Sequence, residues 1–203
     1  NGRGGVAVAP ESISAVADAA HDRDVPVHLD GARLFNACVA LDVAPERMVR
    51  DVDSVLFCLS KGLGAPVGSI LAGDAAFVEK ARRVRKLFGG GMRQAGLIAA
   101  PGLLALENVD RLHVDHENAA ALASGLDDVD GLRAAEPDTN IVQVFTDGFV
   151  DAETFVDACE DRGVLGGVHG PHLTRFCTHL DVTRADVEAA VERVAGVVDD
   201  LRE

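Results

Sequence analysis

The 203-residue chain carries 33 acidic and 19 basic side chains, which give it a formal net charge of −14. This excess of acid argues against nucleic-acid binding, which needs basic patches, while a hydrophobic content of 48% predicts a folded globular protein. The apolar stretches are too short and too interrupted to span a bilayer, and nothing resembles a signal peptide, so we expect no membrane partner and a cytoplasmic location.

The first half of the chain alternates between helical and extended patterns. The predicted elements are a helix from Pro10 to about His21, a strand at Val25–Asp30, a helix at Leu34–Leu41, and strands at Val55–Leu59 and Val67–Ala72. A further helix follows, capped by Asp74. The alternation of strand, helix and strand predicts an α/β fold with a mostly parallel sheet.

The second half begins with a long helical region and ends as a smaller α+β unit. The predicted elements are helix from Arg93 to about Leu126, a strand at Asn140–Phe145, a helix at Ala152–Arg162, short paired strands at Val164–Leu165 and Leu173–Thr178, and a last helix opened by the capping box of Thr183 and Asp186. We expect the long helical region to join two domains, 1–108 and 109–203.

Two of the predicted strands end in chemically useful residues. Asp30 closes one strand, on the same face as His28, and Lys61 follows the other. Because neighbouring parallel strands end at the same edge of a sheet, we expect the carboxylate and the amine to lie together there. Partial burial would lower the pKa of such a lysine and make its amine nucleophilic. Alone, Lys61 also fits a surface residue in a glycine-rich turn.

The pair of Asp30 and Lys61 matches the needs of one cofactor, pyridoxal 5'-phosphate. A lysine carries this cofactor as a Schiff base, and an aspartate keeps the pyridinium nitrogen protonated so that the ring accepts electrons. The glycines after Lys61 would let a bulky cofactor approach the backbone.

Three motifs, in this order, carry a resemblance to a known family. The segments His28–Arg33, Leu59–Gly64 and Gly89–Gln94 resemble those of the low-specificity L-threonine aldolases, pyridoxal-phosphate enzymes related to the β-eliminating lyases. Each motif is weak alone, and the ordered set is specific. The resemblance runs from Asn1 to the closing helix.

The resemblance implies roles for individual residues. Lys61 matches the Schiff-base lysine and Asp30 the partner of the pyridinium nitrogen, whereas Arg33 and Arg175 match arginines that bind the substrate carboxylate. A guanidinium fork suits a carboxylate, and two of them would fix the orientation of an amino acid.

Two further cations, Lys86 and Arg93, flank the triple glycine of the third motif. They resemble active-site cations of the family, Lys86 on the substrate side and Arg93 on the cofactor phosphate. The alternative for both is a solvated basic helix end. No set of residues has the spacing of a metal site.

The resemblance also implies the fold and an expectation about length. The fold would be the fold type I architecture of pyridoxal-phosphate-dependent transferases, here the remainder of the large domain followed by a small α+β domain. Members of the family are longer on the N-terminal side, where a phosphate-binding loop and a ring-stacking residue lie. We therefore expect a C-terminal part of such an enzyme, inactive alone.

The implied reaction is retro-aldol cleavage of L-threonine and L-allo-threonine to glycine and acetaldehyde, in glycine biosynthesis and threonine catabolism. Family members form homodimers or homotetramers with sites at subunit interfaces, so we expect the same here. Two alternatives stay open. One is another β-eliminating lyase reaction on the same scaffold, and the other is a non-catalytic acidic assembly domain.

The net charge of −14 suggests a further hypothesis, a halophilic origin. Strong self-repulsion keeps a protein soluble where salt screens charge within a few ångströms. The four cysteines are scattered, without paired spacing for zinc or a disulfide framework (Cys38, Cys58, Cys159 and Cys177).

Overall fold

The computed structural model describes residues 4–203. The chain forms two compact units. The first unit is Ala7–Leu112, and the second is His113–Glu203 together with the segment that ends at Val6. Among the described residues, no helix has both the length and the apolar character that crossing a bilayer requires.

The first unit contains most of the elements predicted for the first half. They are α1 (Pro10–His21), β1 (His28–Asp30), α2 (Leu34–Leu41), α3 (Pro45–Val49), β2 (Ser54–Cys58), β3 (Ser69–Gly73), α4 (Ala75–Leu87), α5 (Gly96–Leu106) and a 3₁₀ helix (Glu107–Arg111). The predictions of α1 and α2 are confirmed at both ends. Asp74 caps α4, since its Oδ1 accepts a hydrogen bond of 2.6 Å from the amide of Phe77.

The sheet of the first unit has the order β1-β2-β3. The strands β1 and β2 are parallel, with Asp30 opposite Leu56, whereas β3 pairs with β2 in the antiparallel direction. The expectation of a mostly parallel sheet therefore holds for one of the two strand pairs described. The chain returns from β2 to β3 through a short glycine-rich loop, too short for the crossover that a parallel pair needs.

Two apolar clusters support this sheet from the surrounding helices. One joins Leu34 and Cys38 of α2 to Met48 of α3 and Val55 of β2. The other joins Leu59 and Leu63, on either side of Lys61, to the helical segments near residues 105–112. The second cluster anchors the loop that carries the lysine.

The second unit is the α+β unit expected from the sequence. Its elements are α6 (Leu112–Asp127), which begins at the last residue of the first unit, β4 (Arg133–Ala134), β5 (Ile141–Phe145), α7 (Ala152–Asp161), β6 (Gly167–Gly170), β7 (Leu173–Cys177) and α8 (Arg184–Arg202). The sheet is antiparallel, in the order β4-β5-β7-β6. Phe155 of α7, Phe176 of β7 and Val194 of α8 pack in one core cluster.

Two predictions for the second half are wrong in detail. The strand expected at Val164–Leu165 lies instead at Gly167–Gly170, where the backbone pairs with β7. The helix expected from Arg93 begins at Gly96 and is interrupted by the 3₁₀ helix before α6. The capping box is confirmed, since the Thr183 hydroxyl accepts from the amide of Asp186 and the carboxylate accepts from the amide of Thr183.

Candidate active site

The candidate site begins at the carboxyl end of β1. Asp30 is the last residue of this strand, and the next two residues stay attached to β2. The amide of Gly31 donates a hydrogen bond of 2.8 Å to the carbonyl of Leu56, and the carbonyl of Ala32 accepts one of 3.3 Å from Cys58. Because β1 and β2 are parallel, the turn after Asp30 and the loop after β2 leave the sheet at the same edge.

The Asp30 carboxylate is exposed, and a backbone hydrogen bond orients it. Its Oδ1 accepts from the amide of Ala32 at 3.1 Å, the local contact that makes aspartate frequent in turns. A charged oxygen held in this way keeps one direction while its partner oxygen stays available to a ligand. The carboxylate is therefore oriented before any cofactor binds.

Gly31 allows this turn to lie against β2. A Cβ built at Gly31 would lie 3.0 Å from the carbonyl oxygen of Leu56 and 3.2 Å from Cβ of Leu34. Neither atom is the end of a flexible side chain, so a larger residue would push the turn away from the strand. Packing against β2 therefore favours a glycine directly after Asp30.

Lys61 lies in a loop anchored on both sides. Leu59 and Leu63 are buried, whereas Lys61 between them is exposed. The carbonyl of Lys61 accepts a hydrogen bond of 2.9 Å from Gly64, and the amide of Ala65 reaches back to the carbonyl of Leu59 at 3.0 Å. The partial burial expected of the Lys61 side chain is not found, because the apolar cluster holds its neighbours and leaves the lysine outside.

Two glycines shape the remainder of the Lys61 loop. Gly64 has φ of +80° and Gly68 has φ of +115°, the left-handed region that side chains disfavour. The Gly68 carbonyl accepts hydrogen bonds from the amides of Leu59 and Ser60, at 3.0 and 3.3 Å. The loop is thus closed on its own backbone.

Arg33 follows the Asp30 turn directly. It is the residue before α2, and its side chain is half-buried. The amide of Leu34 bonds to the carbonyl of Gly31 at 2.7 Å, which ties the start of α2 to the same turn. Arg33 and Asp30 therefore belong to one short segment of the first unit.

Lys86 and Arg93 also lie in the first unit, on a different segment. Lys86 is in the last turn of α4, a helix with no buried residue, and Arg93 is exposed after that helix ends. Gly89 between them has φ of +80°, a conformation that fits the end of a helix. Both cations are open to solvent.

Arg175 lies in the second unit. It is in the middle of β7, half-buried, opposite Gln143 of β5 and Gly167 of β6. Loss of hydration, with the positive charge of Arg175, lowers the pKa of His169 below its usual value. A cavity of about 290 Å³ in the same unit is lined by Phe176 and His179 but not by Arg175.

Two further side chains make hydrogen bonds near this sheet edge. His28 bonds through Nδ1 to the hydroxyl of Ser54 at 2.9 Å. Asn108 of the 3₁₀ helix donates from Nδ2 to the carbonyl of Leu63 at 2.8 Å. No motif signals the Asn108 contact, since the two residues are 45 positions apart.

The chain is similar in sequence to known proteins. The family model described as "Beta-eliminating lyase" matches residues 1–148. A "Low-specificity L-threonine aldolase 1" of Arabidopsis thaliana is 42% identical over 189 residues, covering 91% of this chain and 53% of the relative. A "Low specificity L-threonine aldolase" of Escherichia coli (strain K12) is 43% identical over 164 residues, covering 80% and 48%.

Structural comparison shows the fold. A threonine aldolase from Leishmania major superposes with a TM-score of 0.71 at 19% identity, over 93% of this chain and 56% of that one. The fold is therefore the fold type I architecture that the sequence predicts. The chain belongs to the β-eliminating lyase family. It spans about half the length of the curated relatives it matches.

Proposed function

We propose that the protein is a pyridoxal-phosphate-dependent aldolase that cleaves L-threonine and L-allo-threonine to glycine and acetaldehyde. The observation that carries the proposal is the sheet edge where Asp30 ends β1 and the Lys61 loop follows β2, in a chain of the β-eliminating lyase family. The threonine aldolases among its relatives support the choice of substrate. This activity is proposed for the complete product of the gene.

The residues at this edge fit the proposed cofactor. Asp30 offers an oriented carboxylate for a protonated ring nitrogen, and Lys61 offers an exposed primary amine for the aldehyde carbon. The turn and loop that carry them contain Gly31 and Gly62, where an added Cβ would come within 3.0–3.1 Å of other atoms. When bound, pyridoxal phosphate supplies an electron sink for the bonding electrons released at the α carbon.

The chain's own residues then supply binding and proton transfer. Asp30 keeps a negative charge at the ring nitrogen. Arg33 and Arg175 bind the substrate carboxylate, each through a guanidinium fork that matches its two oxygens. Lys86 and Arg93 supply positive charge, Lys86 for the substrate and Arg93 for the cofactor phosphate. In its ammonium form, Lys61 donates a proton to the α carbon of the product glycine and is left as the free amine.

Assembly, location and salt preference are further parts of this proposal. The end of α4 exposes Leu87 and Phe88 by 81% and 83%, and apolar surface of this kind favours a homodimer or homotetramer. A cytoplasmic location fits four free cysteines.

The net charge of −14 supports a halophilic origin, and undiminished stability at low ionic strength would contradict it. A division into domains 1–108 and 109–203 is part of the same proposal.

The function is tested by supplying the complete gene product with pyridoxal phosphate and measuring its products. Each of the two substrates, L-threonine and L-allo-threonine, should give glycine and acetaldehyde in a 1:1 ratio. Release of pyruvate and ammonia from an aromatic amino acid instead would favour the β-elimination that the family name suggests. A folded protein that binds the cofactor and converts neither substrate class would overturn the proposal.

A further inference from the structure

The loop that carries Lys61 is held by a contact from outside its own sequence. Within the loop, Gly64 and Ala65 bond to the carbonyls of Lys61 and Leu59, at 2.9 and 3.0 Å. These bonds give the loop its shape but do not fix its position on the unit. The position is set by the burial of Leu63, whose side chain is 3% exposed, and by what its carbonyl contacts.

Asn108 makes that contact. Its Nδ2 donates a hydrogen bond of 2.8 Å to the Leu63 carbonyl, and the pair is partly buried. Leu63 is two residues beyond Lys61, inside the turn closed by Gly64. A carbonyl that loses its donor in a partly buried place must move toward water or stay unsatisfied. The first change shifts the turn that begins at Lys61, and the second makes its present position less stable.

The loop is confined on the Gly62 side as well. A Cβ at Gly62 would lie 3.1 Å from Oδ1 of Asn36 and 3.1 Å from Cδ2 of Leu112. Asn36 is itself buried, at 3% exposure. The backbone after Lys61 therefore lies between a close packing contact at Gly62 and a hydrogen bond at Leu63.

We propose that Asn108 is a positioning residue for Lys61: by holding the Leu63 carbonyl it fixes where the Lys61 amine stands at the sheet edge. The inference rests on the proposed function for what Lys61 does. The clamp, by which we mean the hydrogen bond from Asn108 to the Leu63 carbonyl, is present in the apoprotein. Asn108 touches neither substrate nor cofactor in this role. Its effect passes through two residues of backbone.

Hydrogen exchange of the apoprotein tests the clamp without any activity. In Asn108→Ala the amides of Gly64 and Ala65 should exchange about 10-fold faster, the consequence of losing one partly buried hydrogen bond. The matched control is Asn118→Ala. Asn118 donates from Nδ2 to the Val182 carbonyl at 3.0 Å, the same chemistry in the second unit. It should leave the exchange of the Lys61 loop unchanged.

The second readout follows the lysine in the complete gene product supplied with pyridoxal phosphate. Asn108→Ala should lower kcat for threonine cleavage about 10-fold while KM changes less than about 2-fold. The pH dependence of the bound cofactor's absorbance should also shift, since it reports the surroundings of the amine that holds the ring. Asn108→Gln, which keeps an amide donor, should recover part of both effects. Gly62→Ala perturbs the same loop from the other side and should reproduce them if Asn108→Ala does not fold.

The outcomes separate the inference from the function beneath it. Faster exchange together with the changed kcat and pH profile supports the assignment. Unchanged exchange in Asn108→Ala overturns it, and so does faster exchange with an unaltered kcat and pH profile. If the wild-type protein attaches no pyridoxal phosphate at Lys61, the proposed function fails, and the exchange result alone decides whether the clamp exists.

Discussion

The amide of Ala32 donates a hydrogen bond of 3.1 Å to Oδ1 of Asp30. Ala32 is at the same time bound to β2, since its carbonyl accepts from the amide of Cys58. The carboxylate is thus oriented by a residue that is fixed to the neighbouring strand, the strand from which the Lys61 loop departs. A rigid link of this kind lets a short segment hold a charge in place for a bound cofactor.

The first prediction concerns the charge of Asp30. Asp30→Asn keeps an oxygen that can accept from Ala32 but removes the negative charge, so the fold should be unchanged and the activity lost. We expect a loss of kcat on the order of 100-fold or more, as for removal of a preorganised electrostatic contact. Steady-state threonine cleavage measures it, with far-ultraviolet circular dichroism for the fold.

The control for that experiment is Asp74→Asn, another exposed aspartate that accepts a backbone hydrogen bond, from Phe77. It should keep wild-type kcat because it caps α4 and carries no proposed catalytic role. If Asp30→Asn retains wild-type kcat as well, Asp30 is not the partner of the ring nitrogen.

The second prediction concerns the capping box of α8. Thr183→Ala should reduce the free energy of unfolding by about 1 kcal/mol at pH 7, the usual cost of losing an N-cap. Thr183→Ser keeps the hydroxyl and should change it by only a few tenths of a kcal/mol. Urea denaturation of the three proteins measures the difference.

The same capping box predicts a dependence on pH. Hydrogen bonds from the hydroxyl and the amide of Thr183 hold the pKa of Asp186 below its usual value. A carboxyl whose pKa is lower in the folded state stabilises the protein above the unfolded value, about 3.9, and loses that contribution as pH falls through the folded pKa. The difference in free energy of unfolding between wild type and Thr183→Ala should therefore become smaller below about pH 4. A difference in free energy of unfolding that grows as the pH falls would contradict this assignment.

The third prediction concerns the four thiols. Burial raises the pKa of Cys159 to about 12 and that of Cys38 to about 11. Cys58 and Cys177 are only half-buried. Since the thiolate is the species that reacts, iodoacetamide at pH 8 should alkylate Cys58 and Cys177 at least about 100-fold faster than the other two. Peptide mass spectrometry resolves the order, and labelling of Cys159 at the rate of Cys177 in the folded protein would contradict it.

Local sequence signals predicted the elements whose boundaries depend on local chemistry. Asp74 and the Thr183–Asp186 pair mark helix starts that the structure contains. The strand β6 was misplaced because Gly167–Gly170 has little strand propensity of its own and is extended through its pairing with β7. Short elements such as α3 and β4 escaped for the same reason, since too few residues show a period.

The features of the candidate site also divide into those that the local sequence predicts and those that it does not. The order strand, helix, strand predicts that β1 and β2 are parallel, and this pairing brings the turn after Asp30 and the Lys61 loop to one edge of the sheet. The exposure of Lys61 does not follow from the local sequence, because it depends on which neighbours the cluster of Leu59 and Leu63 buries. The contact of Asn108 with Leu63 joins residues that are neighbours only in the folded unit.

The role of Lys61 is tested most directly by locating the cofactor on the chain. The complete gene product is incubated with pyridoxal phosphate, reduced with borohydride and digested, and the modified lysine is identified by mass spectrometry. Only three lysines occur in these 203 residues (Lys61, Lys80 and Lys86). If Lys61 holds the cofactor, Lys61 is the modified residue, and the modification is abolished in Lys61→Ala and retained in Lys80→Ala. A folded protein labelled at Lys80 or Lys86 instead, or equally in Lys61→Ala, would contradict the assignment of the active site.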